Sequence, residues 1–399
     1  MNEPSFESAD QMPDDPLPNF MRARRAVRLR FRHTPELRRR RPRPSGRRGS
    51  RRALRVYADA GRTELDSRSA TFLPPERGRR ARFLALSGGG AAGAFGAGWL
   101  VGWSERGTRP TFDLVTGISA GSLIAPFAFI GPREDGRLRE IWTSGAAEEL
   151  NPTGPIFTAL LGESIVDGDR LFDLVATYVN DDLLARVAAR HRSGARLLVV
   201  TTNLDAERAV IWNLGAIAAS RRPDRLNLFR QVLTASASIP GVFPGVEIEA
   251  RTPGGTIREL HADGGTVRSV LLFPDAVDAN GFIPAQLRRL RPDVSVIVNA
   301  NLDPVFDQTK KGTLAVAARA LGVLTKSNTR ASVSDIATIS RSLGLPFRLA
   351  YLEEPFATSR SKPFDTRSMR ELFERGRRRG RAGDWRDGVP TGNPLAREG

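Results

Sequence analysis

The chain has 399 residues, no cysteine, three histidines and a formal net charge of +17. Without cysteine it can form no disulfide, thiolate metal site or thiol nucleophile, and three scattered histidines (His33, His191, His261) give no histidine metal site. Its length suits one large or two ordinary domains, and its charge is concentrated: residues 21–55 hold sixteen arginines and one glutamate, residues 360–382 hold nine basic and three acidic groups, and residues 56–359 are close to neutral.

In chain order, residues 1–20 carry five acidic groups and no basic one, and the arginine-rich run Arg22 to Arg55 follows. That run contains three prolines and little apolar periodicity, so it cannot bury enough surface to fold alone. A disordered N-terminal arm is expected over residues 1–80. Its charge suits peripheral contact with anionic membrane lipid. With almost no aromatic residues for stacking, it supports only nonspecific phosphate contact, so no specific nucleic-acid binding is expected.

Past the arm, strand-like and helix-like runs alternate, which predicts α/β layering with a substantially parallel sheet. Phe83 to Ser87 and Phe112 to Thr116 read as strands joined by a crossover helix from Ala91 to about Arg106. Phe95, Trp99 and Trp103 on that helix read as core residues. Leu171 to Arg190 reads as one helix, and His191 falls in a polar connection after it. Strands are expected at Arg196–Asn203 and Arg208–Asn213. A helix at Leu226–Ala237 ends at Ile239-Pro240-Gly241, where Pro and Gly stop it. Asp293–Asn301 reads as a buried strand and Gly312 to about Leu343 as mostly helix. Met369, Leu372 and Phe373 mark a short amphipathic C-terminal helix docked on the core. No window reaches the apolar length of a membrane span, and the N-terminus shows no signal-peptide apolar region, so a cytoplasmic or peripheral membrane protein is expected.

Chemistry is concentrated in three short stretches. Gly117-Ile118-Ser119-Ala120-Gly121 stands between a strand-like run and the apolar, helix-compatible run Ser122 to Ile130. That arrangement is a nucleophile elbow: the glycines permit a turn too sharp for side chains, and the serine hydroxyl is presented near a helix N-terminus. Upstream, Ser87-Gly88-Gly89-Gly90-Ala91-Ala92-Gly93 follows a strand-like run, and its uncovered N–H groups can form an oxyanion-binding nest. The same glycines satisfy a dinucleotide-binding spacing with Asp113 twenty residues on. However, Asp113 precedes the elbow strand, and that reading leaves Ser119 unexplained. Downstream, Leu260-His261-Ala262-Asp263-Gly264-Gly265 presents an aspartate before two glycines. It is either an Asp-Gly turn capping its own loop or a carboxylate base for the serine. His261 and Asp263 share a strand face, where they are poorly placed as a base–orienter pair, so His261 reads as a satisfied strand residue beside the site.

Glycine nest, serine elbow and Asp-Gly-Gly, in that order and spacing, resemble bacterial members of the patatin-like phospholipase family. Thr201 to Asp205 and Ser236 to Pro244 resemble further blocks of the same family. The resemblance runs from near Arg82 to near Glu354. It implies an α/β patatin-like three-layer sandwich, with a central, mostly parallel sheet flanked by helices, over residues 81–355, followed by a C-terminal helix and basic tail over 356–399. It also implies a lipid acyl hydrolase of the phospholipase A type, with Ser119 as nucleophile, Asp263 as base and an oxyanion hole of Gly88, Gly89 and Gly90. No cofactor or metal is implied, and the substrate is a phospholipid or other acyl-ester lipid whose contacts are not assigned. The chain departs from many members in having Ala91-Ala92 where they carry Arg or Lys, which removes any charge assistance at that loop. The same motifs also suit a general carboxylesterase or thioesterase, and the fold alone would suit a non-catalytic lipid- or partner-binding protein. Pro240, Phe243 and Pro244 are expected either to line an acyl pocket or to be an ordinary helix-to-strand connection.

Overall fold

The computed structural model describes residues 54–151, 168–252, 255–277, 281–306, 308–309, 311–354, 356 and 362–390. The arginine-rich run up to residue 53 lies outside the described residues. The fold begins before the expected boundary at residue 81. Strand β1 (Arg55–Tyr57) pairs with a later strand, and helix α1 (Arg62–Phe72) buries Leu65 and Phe72.

The elements then follow as β2 (Arg82–Leu86), α2 (Gly93–Glu105), β3 (Leu114–Ile118), α3 (Ala120–Ile130), α4 (Asp135–Thr143), α5 (Gly168–Tyr178), α6 (Asp181–Arg192), β4 (Arg196–Asn203), β5 (Arg208–Asn213), α7 (Leu214–Ala218), α8 (Arg225–Ala237), β6 (Val246–Thr252), β7 (Gly255–Asp263), α9 (Ala285–Leu290), β8 (Asp293–Asn301), α10 (Thr313–Ser342), β9 (Phe347–Leu352) and α11 (Thr366–Ala382). The predicted helix over 171–190 is two helices. The Asn180 backbone is extended and its side chain accepts from the Leu183 N–H, capping α6 and ending α5. His191 accordingly sits in the last turn of α6, buried, and not in a polar connection.

The sheet order is β1-β5-β4-β3-β2-β8-β9. Its middle, β4-β3-β2-β8-β9, is parallel throughout, so these strands are joined by crossover connections, and β5 and β1 add antiparallel strands at one side. Helices cover both faces, each over its own apolar core. Residues of α2 to α8 and α11 pack on one face, and residues of α1, α9 and the C-terminal half of α10 pack on the other. The parallel strands are buried on both faces and read as largely apolar runs such as Val294 to Val298, in which Ser295 is the one polar residue and is itself buried.

One pairing positions the site. The edge of β4 is shared: its first five residues pair with β3, ending at Ile118 opposite Val200, and its last three pair antiparallel with β7, beginning at Thr201 opposite Asp263. The end of β3 and the end of β7 are thus successive positions along one strand. The junction is tight, because a Cβ at Gly264 would lie 2.5 Å from the Val200 carbonyl oxygen and 3.1 Å from Ile118 Cγ2.

Candidate active site

Ser119 follows directly on β3 and precedes the first residue of α3. Its backbone lies at φ 53°, ψ −127°, a conformation that costs a non-glycine residue on the order of 1–3 kcal/mol. Neighbouring groups hold it there. The Ser119 N–H donates to Ser236 Oγ at 3.1 Å, and Ser236 Oγ in turn donates to the Val200 carbonyl at 2.7 Å. The Ser119 carbonyl accepts from the Ser122 hydroxyl and the Ser122 N–H. Both elbow glycines are sterically required. A Cβ at Gly117 would meet the Gly121 carbonyl oxygen at 2.5 Å, and one at Gly121 would meet the Ser87 carbonyl oxygen at 2.6 Å.

Asp263 ends β7 with its carboxyl near the Ser119 hydroxyl, which acts to lower its pKa. Its carboxylate also accepts from the Gly265 N–H at 2.7 Å, its own N–H donates to the Ser238 carbonyl, and its carbonyl accepts from the Thr202 hydroxyl. It therefore caps its own Gly-Gly turn while lying beside the serine. Burial pushes its carboxyl up to about 6, against the lowering effect of the Ser119 hydroxyl and the Gly265 N–H.

Beside the serine, Gly89 and Gly90 both have positive φ (156° and 54°), and their N–H groups make no hydrogen bond to another described residue. Gly88 differs from the expectation: its N–H is donated to the Ser269 carbonyl at 3.0 Å. What Gly88 contributes is a missing side chain, since a Cβ there would lie 3.0 Å from Ser119 Cβ. The Ala120 N–H, at the start of α3, is likewise without a partner among the described residues, so the uncommitted donors near Ser119 are Gly89, Gly90 and Ala120. Gly90, Ser119 and Ala120 line a small pocket of about 50 Å³, together with apolar side chains that include Leu123, Ile141, Leu174, Ile239, Phe243 and Met369. No charged side chain lines it among the described residues. Phe243 and Ile239 belong to the pocket, whereas Pro240 and Pro244 do not line it.

Against known proteins, residues 84–275 match the family model described as patatin-like phospholipase. Over those residues the chain is similar to a patatin-like phospholipase domain. A match to that family implies lipid acyl hydrolase activity. Among solved structures the chain is similar to VipD from Legionella pneumophila, at 13% identity and a TM-score of 0.34, covering 77% of this chain and 68% of that one. No curated protein matches it. The sheet described above, parallel at its centre and flanked by helices, is consistent with the patatin-like α/β fold.

Two residues beside Ser119 and the glycine nest were given no role from the sequence. Asn299, near the end of β8, holds the glycine nest. Its N–H donates to Ser87 Oγ and its Nδ2 to the Ser87 carbonyl, both at 2.8 Å, while its Oδ1 accepts from the Gly96 N–H in the first turn of α2. Ser236 fixes the serine backbone as described. The available signal was polarity in an apolar setting. Asn299 follows the run Val294 to Val298 at a strand C-terminus, where α/β sites gather, and Ser236 is fully buried on α8. Asn299→Ala leaves the Ser87 carbonyl and the Gly96 N–H without partners, so we expect a stability loss of about 2–4 kcal/mol. A drop in kcat of tenfold or more, with little change in KM, should accompany it. Thermal melts and steady-state kinetics on the same preparation check both.

His261 is placed as expected for a satisfied strand residue. Thr201 Oγ1 accepts from Trp212 Nε1 and is hydrogen-bonded to His261 Nδ1 at 2.9 Å, while His261 Nε2 faces Glu259 at 3.3 Å. Burial works to raise the Glu259 carboxyl, but bonds from His261 and Arg55 hold it at about 2. Both imidazole nitrogens are thus occupied away from Ser119. Arg55, which anchors this cluster, comes from the strand that the sequence reading assigned to the arm.

Proposed function

We propose that this protein is a lipid acyl hydrolase acting through an acyl-serine on Ser119, with Asp263 as general base. The observation that carries the reading is a buried carboxyl, Asp263, raised to about 6 and set beside the hydroxyl of a serine on a strained elbow, next to an apolar pocket. Ser119 Oγ attacks the ester carbonyl carbon as its proton passes to Asp263. The resulting oxyanion is met by the N–H groups of Gly89 and Gly90, with Ala120 at the start of α3 as a third donor. Asp263 then returns the proton to the departing alcohol oxygen. Water attacks the acyl-serine with Asp263 again as base, releasing the fatty acid and restoring Ser119. A pocket without charged lining suits an acyl chain better than a polar acyl group.

Hydrolysis of a fluorogenic phospholipid, run beside a nitrophenyl ester, tests the reading. Cleavage of the phospholipid supports it, cleavage of the simple ester alone would point to a general esterase, and failure of a fluorophosphonate to label Ser119 would remove the nucleophile. The carboxyl at about 6 sets the pH dependence. Only ionised Asp263 accepts the serine proton, so kcat/KM should rise as pH increases through about 6 and fall about tenfold per unit below it. Stability runs the other way. Folding raises this carboxyl from 3.8 to about 6, so the folded state holds the proton more tightly. The cost of the buried charge, roughly 3 kcal/mol, is present above pH 6 and gone below 3.8. Asp263→Asn should therefore melt higher than wild type at pH 8, with the gain shrinking towards pH 4.

A further inference from the structure

The 30-residue helix α10 changes character along its length. Its C-terminal half packs on the sheet through Val333, Ile336 and Ile339. From Thr313 to Ser327 no residue whose side chain is described is buried, and Val316, Leu321, Val323 and Leu324 are each more than half exposed. Phe306, in the segment leading to the helix, is 96% exposed. Arg319 and Lys326 turn back to the preceding segment, donating to the carbonyls of Val305 and Asp303, which fixes the side of the helix that faces the body. At about 100° per residue, the four exposed apolar residues fall within an arc of roughly 160° on another side. No described residue covers that arc. An apolar helix face left in water needs an occupant.

Charge selects which one. Between residues 308 and 334 the chain carries Lys310, Lys311, Arg319, Lys326 and Arg330 and no acidic residue. Cations beside an apolar helical face match the headgroup and acyl layers of an anionic bilayer. Position favours the same occupant. Asn328, where the exposed half ends, donates to the Val267 carbonyl at 3.1 Å and lies 3.4 Å from the Gly265 carbonyl, in the turn that Asp263 caps. Val267 is itself 37% exposed.

We propose that the exposed half of α10, with Phe306, is an interfacial docking surface that seats the protein on anionic membrane lipid beside the Asp263 turn. This deepens the lipid hydrolase reading and is tested without catalysis. The full chain carrying Ser119→Ala, which cannot consume the lipid, is sedimented with vesicles of phosphatidylglycerol and phosphatidylcholine, and with vesicles of phosphatidylcholine alone. Leu321→Asp with Leu324→Asp is compared in that background, with Leu321→Ser and Leu324→Ser as a milder pair. Melting curves confirm that these exposed changes leave the fold intact.

The expected result is binding that prefers the anionic vesicles and falls at least tenfold in the aspartate pair and several-fold in the serine pair. That loss should persist near 1 M salt, where contact by the arginine-rich arm is screened. Unchanged binding in both pairs would overturn the proposal. So would a dimer in analytical ultracentrifugation that the aspartate pair dissociates, since a second copy would then be the occupant. If vesicle binding depends on α10 but wild type cleaves no phospholipid, docking stands and the hydrolase reading falls. If cleavage proceeds and both pairs bind normally, the reverse holds.

Discussion

Ser119→Ala is expected to bring phospholipid hydrolysis to background and to abolish fluorophosphonate labelling, without lowering the melting temperature. Deleting a hydroxyl from the elbow removes the attacking atom but none of the bonds that hold its backbone, which run through Ser236 and Ser122. Asp263→Asn should cost roughly 10³-fold in kcat. An amide in that place can still accept from the Gly265 N–H but cannot take the serine proton, and general-base catalysis is worth on the order of 10²–10⁴. Because the two residues act as a unit, the double variant should be no slower than Ser119→Ala alone. If Asp263→Asn kept most of its activity, a different base would be required. His261 is a poor substitute, since both its ring nitrogens are already engaged with Thr201 and Glu259.

The second large effect is on stability, at the crossing of α2 and α11. Four glycines interlock there: Gly98 and Gly102 on α2, Gly376 and Gly380 on α11. A Cβ at Gly98 would lie 2.8 Å from the Phe373 carbonyl carbon, and one at Gly376 would lie 2.9 Å from the Trp99 nitrogen. Backbone meets backbone, so no side-chain rotation can relieve the clash. Trp385, just past α11, packs edge-on against Trp99 and Trp103 with centroids 5.0 and 4.8 Å apart, which pins the crossing from the other side. Gly376→Ala is therefore expected to destabilise by about 3 kcal/mol, with the melting temperature down by roughly 5–10 °C. Gly376→Leu should fail to fold at 37 °C. The same Gly→Ala change at Gly322, on the exposed half of α10 with nothing near its Cβ, should stabilise by up to about 1 kcal/mol. Opposite signs for one chemical change, read by thermal melts, would show that packing decides the outcome. Because α2 begins at Gly93, directly after the glycine nest, a partly folded Gly376 variant should also lose activity out of proportion to its stability.

Some of this was legible in the chain. Alternating apolar runs marked most of the strands that surround the site, because parallel strands buried on both faces are largely stretches of Val, Leu and Ile. The strand around Phe347 to Leu352, the strand β6 and the short helices α4, α7 and α9 were not anticipated, and of β7 only the end around His261 and Asp263 was. Strand β6 does alternate, Val246-Glu247-Ile248-Glu249-Ala250, with Ile248 and Ala250 buried and both glutamates exposed, whereas the first half of β7 is exposed and carries no such signal. The strand Arg55–Tyr57 was absorbed into an arginine-rich run. Composition gave no hint that Arg55 would pair with Glu259 across 204 residues.

By itself the sequence determined the chemistry-bearing residue types and their local geometry. A glycine on either side of Ser119, three glycines after β2 and two after Asp263 are demands of backbone sterics, which act between near neighbours and are written locally. Whether Asp263 reaches Ser119 was decided only in three dimensions, because β7 takes over the edge of β4 where β3 leaves it, and that substitution joins positions 144 residues apart. Tertiary structure also took the Gly88 N–H out of the candidate oxyanion donors by giving it to Ser269, and it raised the Asp263 carboxyl to about 6 by burying it. Both depend on what surrounds a group after the chain has closed on itself. Hydrogen-bond partners and desolvation at that distance are properties of the packed molecule, and no local run of residues encodes them.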